Sequence, residues 1–413
     1  MRTLLDVVVR LRPHSAKAPA EYFSLVDFGS DTVKAVVVRR EKAGVRVLGY
    51  GIAPAEGYSL AGGRADMVAL AAIADQALTA AEDQTEVDTH GKVVPDEALF
   101  CIPASLVRGE SLTVQQARPD ASTPIAAREL KSTWERLERL AHERLPLLGE
   151  DSVTWKPLAL APGVISVDGH QVTDPVGLKG RELSLSAFGV AVWPPALRAA
   201  EAVAERLEVT LANVVAAPQA LASTLPQREA ILVDVGAQGT SLQLIQHDTL
   251  VSATWWPQGG GFFTQSLART FRCPSQEAEA LKRAYAEATL STRDSDLVAQ
   301  ALAGPVARWL ETLIARLRHT LATQATSLDF RRPGSLPGRI YLTGGGSRLP
   351  DLPQAIKSLE TTPAISFRQS LEISWLGPRL GAKARGRLAL FDVPLRPTSD
   401  LLAPAISLAT CLE

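Results

Sequence analysis

One pattern occurs twice in this sequence and restricts the fold more than any other feature. It consists of an apolar strand, a short turn containing Asp-x-Gly and a hydroxyl residue, and a second strand. The first copy is "LVDFGSDTVKAVVV", from Leu25 to Val38, and the second is "LVDVGAQGTSLQLI", from Leu232 to Ile245. Each copy precedes a third strand. The repeat predicts two similar domains that face each other, with chance likeness between two short hairpins as the alternative.

The composition is that of a large folded protein. The chain has 413 residues, and its 43 Lys and Arg nearly balance its 44 Asp and Glu, for a net charge of −1. We therefore expect no nucleic-acid partner. The three cysteines are far apart and odd in number, which argues against a disulfide framework. No window approaches the roughly 18 apolar residues of a membrane span, so we expect a cytoplasmic protein.

The residue types in the two turns suit a phosphate site. Glycine lets backbone N–H groups approach an anion, and a hydroxyl adds one donor. An aspartate cannot bind phosphate directly, but it can hold a hydrated Mg²⁺ that also contacts phosphates. Two such turns, one per domain, would hold the phosphates of a nucleotide from both sides. For either turn alone, an ordinary hairpin is the alternative.

A glycine-rich turn follows the second copy. The segment "RIYLTGGGSRLPDLPQAI", residues 339 to 356, predicts a strand, a triple-glycine turn and a helix that begins at Ser347 with Pro350 in its first turn. A flat group such as a nucleoside can lie on such bare backbone. Three glycines alone are weak evidence, but they follow two Asp-x-Gly turns.

The order of these three motifs resembles the phosphate-1, phosphate-2 and adenosine motifs of the actin, hexokinase and DnaK superfamily. Within it, the sequence most resembles the FtsA/PilM family of bacterial actin-like proteins, and FtsA more than PilM. The supporting segments are "VLGYGIAPAEGYSLAGGRADMVALAAIADQAL", "DPVGLKGRELSLSAFGVAV" and "GGGFFTQSLARTFRCPSQEAEALKRAYAEA". The resemblance implies an α/β fold with actin-like (ribonuclease H-like) duplicated domains flanking a nucleotide cleft, and a small inserted α+β domain.

The resemblance also implies a division of the chain. The expected parts are an N-terminal extension and linker (1–23), a first domain (24–225) with an insertion at about 106–182, a second domain (226–399) with a nucleoside-contacting helical subdomain at about 262–330, and a closing helix (400–413) that returns to the first domain.

ATP and Mg²⁺ are the implied cofactors. The implied ligand residues are Asp27, Gly29, Ser30, Thr32 and Lys34 in phosphate-1, Asp234, Gly236 and Thr240 in phosphate-2, and Glu279, Lys282, Gly344, Gly345, Gly346 and Ser347 around the nucleoside. Asp27 and Asp234 would hold Mg²⁺ through water. For Glu279 and Lys282, a solvated pair one helical turn apart is the alternative.

Two departures from the family pattern bear on chemistry. Phosphate-2 of FtsA ends in a late aspartate where this chain has Ser241, although PilM lacks that aspartate too. Superfamily ATPases place Glu or Gln where this chain has Ala217, and Gln219 lies two residues on. Hydrolysis needs a side chain that orients the attacking water. We therefore expect ATP binding with slow or no turnover, with Gln219 as a weak substitute.

The N-terminal segment "MRTLLDVVVRLRP" places apolar residues on one arc of a helix and Arg2 and Arg10 on the other. This pattern predicts an interfacial membrane helix over residues 1–12, at the inner face of the cell membrane. Three consecutive valines weaken that prediction. A β-prone or disordered tail, or a segment that docks on a protein partner, is the alternative.

The leading functional prediction is an ATP-binding scaffold of the FtsA type, which forms filaments or recruits an FtsZ-like ring protein at the membrane during cell division. A PilM-like platform for pilus assembly or secretion is the alternative. The short C-terminus and the phosphate-2 variant favour PilM, whereas "DPVGLKG" and residues 48–78 favour FtsA. A small-molecule kinase of the same superfamily is a second alternative, but the sequence offers no catalytic acid for it.

Overall fold

The computed structural model describes residues 21–41, 44–55, 57–62, 64–89, 91–149, 153–225, 227–324, 335–363, 365–376, 399–408 and 412. The predicted interfacial helix over residues 1–12 lies outside this part of the chain. The first half contains β1 (Tyr22–Phe28), β2 (Thr32–Glu41), β3 (Gly44–Pro54), α1 (Arg64–Asp83), α2 (Glu86–Thr89), β4 (Glu97–Ile102), β5 (Val107–Ala117), α3 (Ala127–Arg144), β6 (Lys156–Val167), β7 (His170–Val172), β8 (Glu182–Val192), α4 (Pro194–Arg206), β9 (Thr210–Ala216) and α5 (Ala217–Ser223). The second half contains β10 (Ala230–Val235), β11 (Thr240–Gln246), β12 (Thr249–Trp256), α6 (Gly260–Phe271), α7 (Ser275–Ala286), α8 (Thr292–Gln324), β13 (Arg339–Thr343), α9 (Asp351–Lys357), β14 (Glu372–Trp375) and α10 (Ser399–Ser407).

Two five-stranded sheets have the same strand order. One runs β3-β2-β1-β4-β9 and the other β12-β11-β10-β13-β14. In each sheet, an antiparallel three-stranded meander continues into strands that pair in parallel. The repeated aspartates occupy equivalent positions, since Asp27 and Asp234 each stand one residue before the end of the first meander strand. The predicted duplication is confirmed.

The first sheet is buried on both faces, which explains its long runs of valine. On β2, Val33 and Val37 share a core with α1 and α4. Val36, on the other face of β2, packs into a second cluster with residues of α10. Helix α1 approaches β3 so closely that a Cβ added at Gly51 would lie 1.9 Å from the carbonyl oxygen of Ala77. Only glycine therefore fits there.

The second sheet is covered on one face by α6, α8 and α9. Its other face meets the first half of the chain, because Leu232 and Tyr341 share a core cluster with Leu221 of α5. The two halves are thus joined by apolar packing below the ends of the strands that carry Asp27 and Asp234.

A third sheet of four strands, in the order β5-β8-β6-β7, forms the inserted α+β unit. Helix α3 covers it through Leu130, Trp134 and Leu137. Strand β8 lies in its centre and pairs with both β5 and β6, although the sequence placed the end of the insertion at about residue 182. The strand serves two cores: Leu183, Leu185 and Ala187 pack beneath α3, whereas Phe188, Val190 and Val192 pack into the core of the first domain.

The glycine turn after β13 differs from the sequence-based expectation. Residues Gly345–Arg348 form one turn of 3₁₀ helix, and α9 begins only after Pro350. The Ser347 hydroxyl donates to the carbonyl oxygen of Gly344 at 2.7 Å, which closes the turn locally. Ser347 therefore does not begin the α-helix.

Helix α10 packs on the first sheet through Leu402, Ala405 and Ile406. None of the described helices is both long enough and apolar enough to cross a membrane.

Candidate functional site

A pocket of about 510 Å³ opens between the two sheets, at the ends of β1 and β10. Most of the predicted ligand residues line it, and they come from both domains. They are Asp27, Gly29, Ser30, Thr32, Lys34, Asp234, Gly236, Glu279, Lys282, Gly344, Gly345 and Gly346. The fold therefore brings the three sequence motifs to one cleft.

Three predicted residues do not line this cleft. The buried hydroxyl of Thr240 donates to the carbonyl oxygen of Gln258 at 2.5 Å and accepts a hydrogen bond from Trp309 Nε1 at 2.9 Å. Ser347 is turned towards the backbone of its own turn. Gln219 lies within α5, also outside the lining. Thr240 and Ser347 therefore hold the polypeptide in place beside the cleft.

Asp27 and Lys34 form a buried ion pair at the base of the phosphate-1 turn. They are opposite each other on β1 and β2, and Lys34 Nζ lies 2.8 Å from Asp27 Oδ2. Burial lowers the pKa of Lys34, but the nearby charges of Asp27 and Asp234 outweigh it and leave that pKa above its ordinary value. Lys34 thus stays protonated and supplies a fixed positive charge at the cleft.

Asp234 carries a charge that its surroundings only partly balance. Burial, and then repulsion from Asp27, raise its pKa from 3.8 to about 6, against the opposing effects of Lys34 and a hydrogen bond from Ser241. Two carboxylates therefore share one ammonium group, and a further cation would relieve their repulsion. Two carboxylates fit a hydrated Mg²⁺, which takes its remaining ligands from water and phosphates. The described residues contain no group of three or more metal-ligating side chains.

The phosphate-2 turn is held by the start of α6. The N–H groups of Gly260 and Gly261 donate to the carbonyl oxygens of Gly236 and Ala237, each at 2.8 Å. Because the C=O and N–H of a trans peptide point in opposite directions, the N–H groups of Ala237 and Gln238 face away from α6. The N–H of Gln238 accordingly donates to Ser30 Oγ across the cleft, at 3.3 Å. Such N–H groups form an anion-binding concavity.

The contribution of α6 was missed in the sequence analysis, although the signal was present. A Cβ added at Gly259 would lie 2.3 Å from the Gly236 carbonyl oxygen and 2.6 Å from the Gly239 nitrogen. The run of glycines before "FFTQSLART" is therefore explained by close packing of α6 against the phosphate-2 turn.

Glu279 and Lys282 of α7 support this arrangement. Lys282 Nζ donates to Gly260 O at 3.1 Å, to Thr264 Oγ1 at 2.8 Å and to Glu279 Oε2 at 2.6 Å. Its three donors are all used within the protein. Burial raises the pKa of Glu279, but hydrogen bonds from Lys282 and Thr264 outweigh it and lower that pKa overall. Both residues line the cleft, and their polar groups fasten α7 to the start of α6.

The glycine turn forms another wall of the cleft. Gly344 has φ +81°, and a Cβ there would lie 2.4 Å from Asp234 Oδ1. A Cβ at Gly346 would lie 2.6 Å from Val235 Cγ1. Gly345, between them, is exposed to the cleft. The backbone of this turn therefore packs on β10 with one side and presents the other to the cleft.

Known proteins resemble this chain in sequence and in fold. No family model matches the sequence. The cell division protein FtsA of Streptococcus pneumoniae is 25% identical over 346 residues, which cover 80% of this chain and 72% of that protein. FtsA of Agrobacterium fabrum is 24% identical over 379 residues, which cover 85% of this chain and 81% of that protein. A solved structure described as a PilM-PilN type IV pilus biogenesis complex has TM-score 0.63 and 18% identity, and covers 96% of this chain and 99% of the other.

The sequence is thus similar to FtsA over most of its length, and the chain shares the actin-like fold of the PilM-PilN structure. The expected fold class, with duplicated domains flanking a cleft, is confirmed.

The cleft has an apolar wall around Ala217, the position at which the family resemblance implies Glu or Gln in proteins that hydrolyse ATP. Ala217, at the start of α5, is 5% exposed and lines the cleft with Leu106 and Trp255. The indole of Trp255 lies over Gly239, where an added Cβ would be 2.4 Å from it. Strand alternation alone does not show what an edge strand such as β12 faces, so the sequence did not place Trp255 at the cleft. This wall offers no group that would activate water.

Proposed function

We propose that this cleft binds ATP with Mg²⁺, and that the chain is a scaffold of the FtsA type, forming filaments or recruiting partners at the cytoplasmic membrane during cell division. The observation that carries the proposal is the pairing of two equivalent Asp-x-Gly turns across one cleft. The FtsA relatives, which match most of the chain, support the division role.

In this proposal each cleft element has a separate task. The turn from Gly29 to Thr32 and the phosphate-2 turn bind phosphate oxygens, with Lys34 as the adjacent cation. Asp27 and Asp234 hold Mg²⁺ through water, and the ion supplies positive charge against the phosphates. The nucleoside lies between α7 and the glycine turn.

The proposed activity is binding with little turnover. Water must be oriented by a side chain for phosphoryl transfer to it, and Ala217 lacks a polar group. Nucleotide binding would act by favouring one angle between the domains, since a ligand shifts a conformational equilibrium only through differential affinity.

The division role predicts an FtsZ-like ring protein as partner. The purified chain should co-sediment with the ring protein of its own organism when that protein is polymerised, and ATP should increase the bound fraction. If the chain does not co-sediment with the polymerised ring protein, with or without ATP, the result would count against recruitment. Vesicle flotation with and without residues 1–12 tests the membrane contact, which falls outside the described residues.

A PilM-like platform is the second candidate, because the fold of the PilM-PilN structure covers nearly the whole chain. It predicts binding to a peptide of an inner-membrane pilus or secretion protein from the same organism. Binding to that peptide together with failure to co-sediment with the ring protein would favour this candidate.

A further inference from the structure

A buried amide stands behind the second aspartate of the cleft. Gln243 lies on β11 and is 0% exposed. It pairs directly with Leu232 of β10, and residues paired across antiparallel strands share one face of the sheet. Since Leu232 belongs to the core between the two halves, the amide faces an apolar layer beneath the cleft.

Only half of this amide is satisfied. Gln243 Nε2 donates to Ser241 Oγ at 2.8 Å, whereas Gln243 Oε1 has no hydrogen-bond partner. A buried acceptor without a partner is unfavourable, and an apolar side chain of the same shape would avoid that penalty. Packing alone therefore does not account for glutamine at this position.

The hydrogen bonds explain what the amide does. Ser241 lies opposite Asp234, so the two side chains stand beside each other on one face of the sheet, and the Ser241 hydroxyl lowers the pKa of the Asp234 carboxyl. An ionised carboxylate can only accept, so any hydrogen bond between these two side chains uses the single Ser241 proton. The Ser241 oxygen then has only lone pairs to offer, and the amide N–H₂ of Gln243 is a donor that matches them. Hydrogen-bond donation is thus consistent in one direction, from Gln243 to Ser241 and from Ser241 towards Asp234.

We propose that Gln243 is a positioning residue for the nucleotide site: it fixes the direction of the Ser241 hydroxyl and, through it, the orientation of the Asp234 carboxylate towards the Mg²⁺ and phosphates. This inference rests on the proposed ATP binding. It also assigns a role to Ser241, the residue that departs from the FtsA pattern.

The test compares Gln243→Leu, Ser241→Ala and the double variant with wild type. Each is titrated with ATP, with and without Mg²⁺, and its thermal midpoint is measured without ligand. Gln243→Leu should melt at or above the wild-type midpoint, because the unpartnered acceptor is gone. Its affinity for ATP with Mg²⁺ should fall about fivefold, as for loss of one hydrogen bond, with a smaller change when Mg²⁺ is absent.

The double variant separates positioning from packing. Because Gln243 acts through Ser241, Gln243→Leu should cause no further loss of affinity in the Ser241→Ala background. Ser184→Ala is the matched control: this buried hydroxyl of the inserted sheet also lacks a partner, and its removal should leave ATP affinity unchanged. If Gln243→Leu does not fold, Gln243→Met is the substitute, since methionine adapts to irregular core space.

Three results would overturn the inference alone: wild-type affinity in Gln243→Leu, a full additional loss in the double variant, or a loss of affinity that merely follows a loss of thermal stability. Absence of ATP binding by the wild type would overturn the proposed function, and this inference with it.

Discussion

At the scale of residues, the cleft depends on an imbalance of buried charge. Asp27 is paired with Lys34 at 2.8 Å, whereas the pKa of Asp234 is lowered by the charge of the same lysine and by the Ser241 hydroxyl, less than burial and Asp27 raise it. Sequence comparison of the two turns predicted both aspartates, and the family resemblance implied Lys34. It could not predict that the two carboxylates share one ammonium group, because that depends on the distance between the domains.

Asp234→Asn should stabilise the ligand-free protein at neutral pH. Burial and Asp27 raise the Asp234 pKa to about 6, so the folded state holds this proton more tightly than the unfolded chain does. The contribution of protonated Asp234 to the free energy of unfolding is therefore complete below about pH 4 and is lost as pH rises through 6. We expect the variant to melt above wild type near pH 7.5, with the difference shrinking below pH 6, in thermal denaturation without Mg²⁺.

The matched control for this pH series is Asp31→Asn, at an exposed position of the same cleft. It should show no comparable pH-dependent difference from wild type. A constant difference between Asp234→Asn and wild type from pH 4.5 to 8 would contradict the account.

Trp255 should report nucleotide binding through its fluorescence. Its indole lines the cleft beside Gly239, so a bound nucleotide would change the polarity around the indole and its exposure to solvent. Trp255→Phe should abolish most of the ATP-induced emission change. Trp375→Phe, on β14 at the opposite edge of the second sheet, should retain it. If Trp255→Phe shows the same ATP-induced emission change as wild type, the nucleotide binds elsewhere.

At the scale of elements, the phosphate-2 turn takes its shape from α6 and α7. The carbonyl groups of the turn bind the first N–H groups of α6, and Lys282 of α7 holds Gly260 and Thr264 of α6. The sequence predicted these helices and placed Lys282 at the cleft. The family resemblance assigned the lysine to the nucleoside. Helical spacing shows only which residues share a face, and it leaves open which neighbouring helix their polar atoms bind.

Lys282→Met should loosen the phosphate-2 turn. The change removes three hydrogen bonds from a buried ammonium group and leaves Glu279 partly unpaired, so both the thermal midpoint and ATP affinity should fall. Hydrogen bonds to charged groups are each worth about 1.5–3 kcal/mol, which predicts a loss of affinity of about tenfold or more.

The control for the lysine substitution is Lys131→Met, which removes an exposed lysine of α3. This substitution should change neither the thermal midpoint nor the affinity for ATP. Reduced stability of Lys282→Met with unchanged ATP affinity would show that the turn is held without this lysine.

At the scale of the whole molecule, contacts across the cleft mouth connect the two domains. The Gln238 N–H donates to Ser30 Oγ at 3.3 Å, and Arg283 Nη2 lies 3.6 Å from Asp31 Oδ2. The repeat in the sequence predicted that the domains face each other. These contacts could not be predicted, since each joins residues of ordinary turn or helix composition that only the folded arrangement brings together.

Asp31→Arg should favour an open cleft, because it places two positive charges at the mouth. Asp31→Asn removes the attraction without adding repulsion and is the matched control. Exposed ion pairs are worth about 1 kcal/mol or less, so the radius of gyration from solution scattering should increase slightly from wild type to Asn and further to Arg. ATP should reduce it in all three. The reverse order would contradict this account of the mouth.

The central claim is that the cleft between the two Asp-x-Gly turns binds ATP. Calorimetric titration with ATP and Mg²⁺ of wild type, Asp27→Ala and Gly345→Val tests it most directly. Gly345 is exposed in the cleft and lies outside the left-handed region, so valine there should obstruct the nucleoside without straining the backbone. The account predicts saturable binding by wild type and clear losses in both variants. Equal affinity in all three proteins, or no binding by any of them, would contradict it.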